Sequence, residues 1–393
     1  MRKYLLPFVI LALLASCSNE SDPVADKSNF TKIYDNNKFS ASFYPIDMKQ
    51  TPDGGYLILG GTRLEDSDFS GVYIMKVDEF GTFVTDKEIE SEFVNPVGLL
   101  ESNSKYYFFA MTPVGLQTNL FEVSESAEVG SPVAVGGSYP SAAAQDGTNF
   151  ILLSYDNGNK ESVVSVMTPA GQVSKSQGFS IGAGDAVEEP IINHFLRTGR
   201  QLPFQVGKNT SGQYFFNGFY NYTISLVFTD LAGDEPQGVI QGQQDDGGLS
   251  QVLSLNGDQY ATSRFNFGDN YFLPKASLNS NGVTSSTDLG GNSLPELTPN
   301  APVKIIKAII AGKDQLIYAS NTKSGQIALY SYDQTSGEFI GSHYLGFSNP
   351  FELASLIVTA DGGLAVCGTT YVAGRFPRIC LFKLSAEEFS KAF

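Results

Sequence analysis

The chain has 393 residues, of which 17% are charged and 12% aromatic, with 40 glycines, no Trp and a formal net charge of -16. That acidic balance repels phosphate backbones and excludes nucleic acid as an expected partner. Sparse charge with abundant glycine, Tyr and Phe suits an all-β protein with many turns.

At the N-terminus, Met1-Arg2-Lys3 precede an apolar stretch from Leu5 to Leu14 and then Ala15-Ser16-Cys17. A positive start, a short apolar core and small residues before a break predict a signal peptide over residues 1–16. The core is too short for a spanning helix, which needs about 20 apolar residues. Leu14-Ala15-Ser16-Cys17 resembles the lipobox of bacterial lipoproteins. The resemblance implies cleavage before Cys17, acylation of its thiol and amino group with palmitate-type chains, and a stable anchor, each buried methylene contributing about 0.8 kcal/mol.

Ser18 follows the cysteine where an inner-membrane retention signal would have Asp, so the same resemblance points to the outer membrane. The acidic run Ser18-Asn19-Glu20-Ser21-Asp22 is similar to the signal by which Bacteroidota place lipoproteins on the cell surface. A plain polar spacer and a periplasmic address remain the alternatives. Residues 17–28 are read as a lipidated tether without apolar periodicity. Loss of Arg2 and Lys3 with the signal takes the charge from -16 to -18, which favours solubility at a crowded surface.

From residue 29 to 393 one pattern recurs. "QTPDGGYLILGGT" (50–62) places a glycine turn at Asp53-Gly54-Gly55 between two apolar runs; the run Val72 to Val77 and a turn at Gly81 follow, with a last run from Phe83. Asp361-Gly362-Gly363, Cys367-Gly368-Thr369 and Phe382-Lys383-Leu384 repeat that order near the other end. Five weaker copies have first turns near Asn103, Gly147, Gly212, Gly257 and Lys313, making seven. Four short strands per copy at a pitch of roughly 40 to 50 residues predict a β-propeller of seven four-stranded antiparallel blades. The last copy stops after its third strand, and Phe30 to Tyr34 is an orphan strand. Pairing Thr31 to Tyr34 beside Leu381 to Leu384 closes the ring and removes an edge. Both Asp-Gly steps suit two-residue hairpins that require positive φ.

The segments "FTKIYD", "QTPDGGYLILGGT" and "YIMKVDEFG" resemble the DGGY-type repeat of bacterial secreted β-propellers common in Bacteroidota lipoproteins. Lys76, Asp78 and Gly81 match that pattern, whereas Phe30 stands where the family usually has Trp. Cys367 and Cys380 lie in neighbouring runs, and an extracellular address allows either a disulfide or two buried thiols.

In a propeller, the loop between a blade's second and third strands shares a face with the connection to the next blade, so insertions there build one rim. The longest, "IGAGDAVEEPIINHFLRTGRQ" (181–201), carries Asp185, Glu188, Glu189, His194, Arg197 and Arg200; shorter loops carry Arg63, Asp66 and Asp68, then Tyr371 and Arg375. These form the candidate binding rim. Two histidines without carboxylate or cysteine at ligand spacing build no closed metal site, and neither a phosphate loop nor a Gly-Xaa-Ser-Xaa-Gly stretch occurs. No metal, cofactor or catalytic residue is expected on these grounds. The leading expectation is a non-enzymatic scaffold recognising a protein or glycan, with a polysaccharide lyase or hydrolase using rim carboxylates and tyrosines as the alternative.

Overall fold

β-Branched and aromatic runs broken by glycine turns form 28 strands in six hydrogen-bonded sheets, an all-β propeller arrangement, in a computed structural model that describes residues 28–35, 42–372 and 376–393. The expected signal peptide and tether, with Cys17, and the rim candidate Arg375 lie outside the described residues. Among the described residues, helical structure is limited to α1 (Asp185–Phe195), α2 (Ala386–Lys391) and one 3-10 turn, Ser286–Leu289.

Five sheets are single blades of four or five strands, and the sixth has seven strands. The expectation of seven separate four-stranded sheets is corrected accordingly. Its failure traces to strand Phe83–Ser102, 20 residues long, which pairs with Ser70–Val77 at one end and Lys105–Met111 at the other. The strand passes through Asn95-Pro96, where a proline usually interrupts a strand interior. The chain nonetheless stays extended through it, because Asn95 takes a φ of 52° within a bulge and Pro96 has no N–H to leave unpaired. A second departure concerns the fifth copy: Val283–Ser285 leaves its own sheet and pairs in parallel with Gly238–Gln241 of the preceding one.

Closure follows the sequence expectation. Strand Phe30–Tyr34 pairs antiparallel with Phe376–Leu384, setting Thr31 opposite Phe382 and Tyr34 opposite Ile379. Apolar layers fill the spaces between successive sheets. Tyr56, Ile58 and Met75 pack on Ala365, Cys367 and Leu381 of the closing sheet, and Ile317 and Leu329 meet Val366 and Phe382 on its other face. The seven-stranded sheet bends so that its halves also face each other, with Leu59 and Ile74 against Phe108 and Phe121. Each large apolar side chain so buried contributes about 1.5–3 kcal/mol.

The same packing decides the cysteine question. Cys367 pairs across the ladder with Leu381, and Cys380 with Gly368, so the two side chains project from opposite faces of the sheet. They are free, buried thiols, and burial pushes the Cys380 pKa up to about 12.

The strong turns differ from two-residue hairpins: Gln50 pairs with Tyr56 and Val358 with Leu364, leaving five-residue loops. Gly54 and Gly362 have φ of 82° and 78°, the left-handed region that glycine enters without a Cβ clash. The next glycine has another reason. A Cβ at Gly55 or Gly363 would lie 2.3 Å from a strand carbonyl and against the lysine ammonium below. Through that gap Lys76 donates to Asp53 at 2.8 Å and to Thr51, and Lys383 donates to Asp361 and Thr359, both at 2.9 Å.

Candidate active site

On the face opposite those turns, the ends of the inner strands and the 181–204 insertion surround the propeller mouth. The insertion, expected as a loop, contains α1. Its sequence concealed the helix because the N-cap is Gly184, which offers no side-chain acceptor, and because Pro190 lies inside it. Val187, Ile191 and Phe195 turn inward and pack with Met111, Tyr139, Phe219 and Phe265, across the tops of several sheets.

Between this helical cap, the closing sheet and the start of the seven-stranded sheet lies a hollow of about 570 Å³. Arg63, at the end of strand Tyr56–Arg63, lines it, as do His194 and Arg197 from the cap and Tyr371 from strand Leu364–Val372. All four belong to the sequence-derived rim. Tyr44 and Glu352, which sequence reasoning missed, line it too. Each is the second residue of an innermost strand, Phe43–Gln50 and Phe351–Val358. That position opens on the mouth, a regularity the repeat alignment contained.

Charge pairing separates the arginines. Among the five in the described residues, Arg200 pairs with Asp245 and Asp246 at 3.0 and 3.1 Å, and Arg378 with Asp35 at 3.1 Å. Arg264 stacks on Tyr271 and donates to Gly290 at 2.6 Å. Arg63 and Arg197 have no ion pair among the described residues, and the buried Nε of Arg197 has no hydrogen-bond acceptor there. Both guanidinium groups line the hollow and can donate to an anionic acceptor there.

The tyrosines respond to this field. Burial raises the Tyr44 pKa, while its hydrogen bond with Ser70 at 3.1 Å and the guanidinium groups of Arg197 and Arg63 pull it back. Tyr371 donates to the Glu352 carboxylate at 3.4 Å, and burial followed by that carboxylate raises its pKa. Both phenols therefore keep their protons near neutrality. His194 accepts from the Leu202 N–H through Nδ1 at 2.9 Å, which leaves the proton on Nε2. Desolvation lowers its pKa to about 4, so it is a neutral imidazole at pH 7.

The other rim residues lie elsewhere. Asp68 offers only its backbone carbonyl, which accepts from the Arg197 N–H at 2.7 Å. Asp66 sits in the same exposed loop, and Asp185 opens α1. Glu188 is engaged by Lys160 at 2.5 Å. Glu189 lines a separate hollow with Arg200 and Asp245. Asp47, beneath the site, accepts from the Leu99 N–H at 2.9 Å and from Ser355 at 2.8 Å, tying three parts of the inner wall together.

No family model matches this sequence, and no curated protein does. Solved structures of similar fold include one described as "NanB plus Optactamide", at 11% identity and TM-score 0.50, covering 92% of this chain and 71% of that one. An α-L-arabinanase of Penicillium chrysogenum complexed with arabinobiose has 12% identity and TM-score 0.45, covering 88% and 94%. A Trypanosoma rangeli sialidase in complex with sialic acid has 10% identity and TM-score 0.44, covering 87% of this chain and 54% of that chain. At these identities the likeness concerns the fold alone. Two of these proteins are enzymes by name, and the expectation that the present chain is not an enzyme is withdrawn.

Proposed function

We propose that this chain is a glycan-cleaving propeller enzyme acting at an acidic sugar, carried on the outer membrane by a lipid at Cys17. One observation carries the catalytic part: the two described arginines without an ion-pair partner line the same hollow as the Tyr371–Glu352 pair. Guanidinium forks match a carboxylate in geometry and charge. Among the described residues Glu352 is the one carboxylate lining that hollow, so hydrolysis by two paired carboxylates fits it less well than a tyrosine nucleophile does. Tyr371 attacks the glycosidic carbon as its proton passes to Glu352. Tyr44, kept protonated by burial, donates to the departing oxygen; water, losing its proton to the Tyr44 phenolate, then displaces Tyr371 from the sugar, and Tyr371 regains its proton from Glu352. On this reading the seven-stranded sheet serves as two blades sharing strand Phe83–Ser102.

The test is turnover of oligosaccharides containing hexuronic or sialic acid. Glu352→Gln and Tyr371→Phe are expected to lower kcat roughly 10²–10⁴-fold, whereas Arg63→Ala and Arg197→Ala chiefly raise KM. Full activity in Glu352→Gln, or no product from any acidic glycan, would refute the assignment.

The address rests on Leu14-Ala15-Ser16-Cys17 and the polar tether, and the Asp-Gly-Gly turns with their third-strand lysines support membership of the secreted DGGY-type propellers. Cys17→Ser is expected to abolish incorporation of labelled palmitate and release the protein from membranes. Unchanged membrane retention overturns the anchor.

A further inference from the structure

The described chain enters the ring at the end that carries the Asp-Gly-Gly turns. Phe30 stands opposite Lys383, whose ammonium donates to Asp361 in the adjoining turn, and Asn29 accepts from the Ser385 N–H at 2.6 Å. From there strand Phe30–Tyr34 climbs toward the mouth, antiparallel to Phe376–Leu384, whose first two residues line the hollow. The root of the tether and the hollow therefore lie at opposite ends of the propeller.

Around that root, exposed apolar side chains gather on three neighbouring sheets. Phe80, Phe83 and Val84 follow strand Ser70–Val77, Val358 sits beside the Asp361 turn, and Ile309 and Phe339 belong to the sheet next to the closing one. The Phe80 loop touches the root itself, since a Cβ at Gly81 would lie 2.5 Å from the Phe30 ring and Tyr34 donates to the Gly81 carbonyl. Elsewhere at this end no exposed aromatic ring occurs among the described residues. Four acids beside the arc are neutralised: Asp53 by Lys76, Asp361 by Lys383, and Glu387 and Glu388 by Lys391. Across the ring, Asp234 and Glu235 are exposed in the loop after strand Thr223–Thr229, without an ion pair among the described residues. Apolar side chains with neutralised charge suit a hydrocarbon–water boundary, whereas unpaired carboxylates do not.

Chain length adds a limit. Twelve residue steps separate Cys17 from Asn29, at most about 40 Å of chain, and the nine-residue strand Phe376–Leu384 sets the mouth about 30 Å from the root. We infer that the apolar arc rests on the lipid surface that holds the anchor, so that the mouth, with Arg63 and Arg197, faces away from the bilayer. This rests on the lipid anchor proposed above and adds an orientation to it: the hollow works on glycans beyond the lipid surface, not on headgroups of its own leaflet. A bilayer at the opposite end would meet Phe267 and Phe347, which are exposed there, but it would cover the hollow and take up most of the tether's reach.

The test places the lipidated protein in phosphatidylcholine vesicles containing nitroxide-labelled lipid, with a fluorophore on one introduced thiol. The exposed positions are Val84→Cys and Phe339→Cys at the turn end, and Val114→Cys and Phe347→Cys at the mouth. Cys367 and Cys380 are buried and do not compete for the label. Quenching is expected to be at least twofold stronger for the first two labels than for the last two. Phe80→Ser combined with Phe83→Ser should at least halve the quenching of the Phe339→Cys label while the protein still floats with the vesicles. Stronger quenching at the mouth, equal quenching at all four positions, or no effect of the double substitution overturns the seated arc and leaves the anchor intact. Protein that does not float with the vesicles overturns both.

Discussion

Lys76 has only 5% of its side chain exposed, whereas its partner Asp53 has 55%. The asymmetry explains why a solvent-facing turn can hold a charge inside the sheet. Desolvation pushes the Asp53 carboxyl up, but hydrogen bonds from Lys76, Thr51 and the Gly55 N–H outweigh it and leave a pKa of about 2, against 3.8 ordinarily. Asp361 is lowered in the same way, by Thr359, Lys383 and Gly363 against burial. A carboxyl whose pKa falls on folding contributes stability above its unfolded pKa and loses that contribution as pH drops through the folded one. The pair is worth its full amount above about pH 4 and little by pH 2. Asp53→Asn is therefore expected to lower stability at pH 7 by about 1 kcal/mol, the scale of a largely exposed pair. The gap to wild type in urea midpoints should close between about pH 4 and pH 2; a gap independent of pH would assign the effect to packing.

At the level of elements, legibility depended on whether local chemistry and tertiary packing agreed. The Asp-Gly-Gly turns were visible because left-handed glycine and an aspartate acceptor are written locally, yet their five-residue length was not, since it depends on a lysine more than 20 residues away. Sequence reading assigned the run from Phe83 and the strand before the Asn103 turn to separate copies, whereas one strand, Phe83–Ser102, runs on through Asn95-Pro96 and serves both. A break and a bulge use the same residues there, and only pairing on both sides distinguishes them. The α1 helix was hidden because its stability comes from Val187, Ile191 and Phe195 against the sheet tops, with no capping side chain to announce it. For the site, Arg63, His194, Arg197 and Tyr371 stood out as loop or strand-end residues. Tyr44 and Glu352 looked like ordinary members of strands, and their common place as second residue of an inner strand has meaning only once the ring is assembled.

For the whole molecule the decisive feature is how the ring shuts. Strand Phe30–Tyr34 completes the closing sheet and also reaches the neighbouring one: Tyr34 donates to the Gly81 carbonyl at 2.9 Å, and a Cβ at Gly81 would lie 2.5 Å from the Phe30 ring. Asn29 accepts from the Ser385 N–H at 2.6 Å, and Asp35 pairs with Arg378. Thus a five-residue strand joins the two ends of a ring whose other neighbours are joined by continuous chain. Without it, Phe376–Leu384 would present an unpaired edge, a template for association with another copy. A chain beginning at Ser42 is expected to lose about 3 kcal/mol relative to one beginning at Ser18. At about 2 °C per kcal/mol for a chain of this size, that lowers Tm by roughly 6 °C, with concentration-dependent self-association in sedimentation. Adding a peptide of residues 28–35 in trans should restore much of the Tm, because the groove between the two sheets remains shaped for it. An unchanged Tm, or self-association that the peptide fails to suppress, would mean that the apolar layer of Ile58, Met75, Cys367 and Leu381 closes the ring unaided.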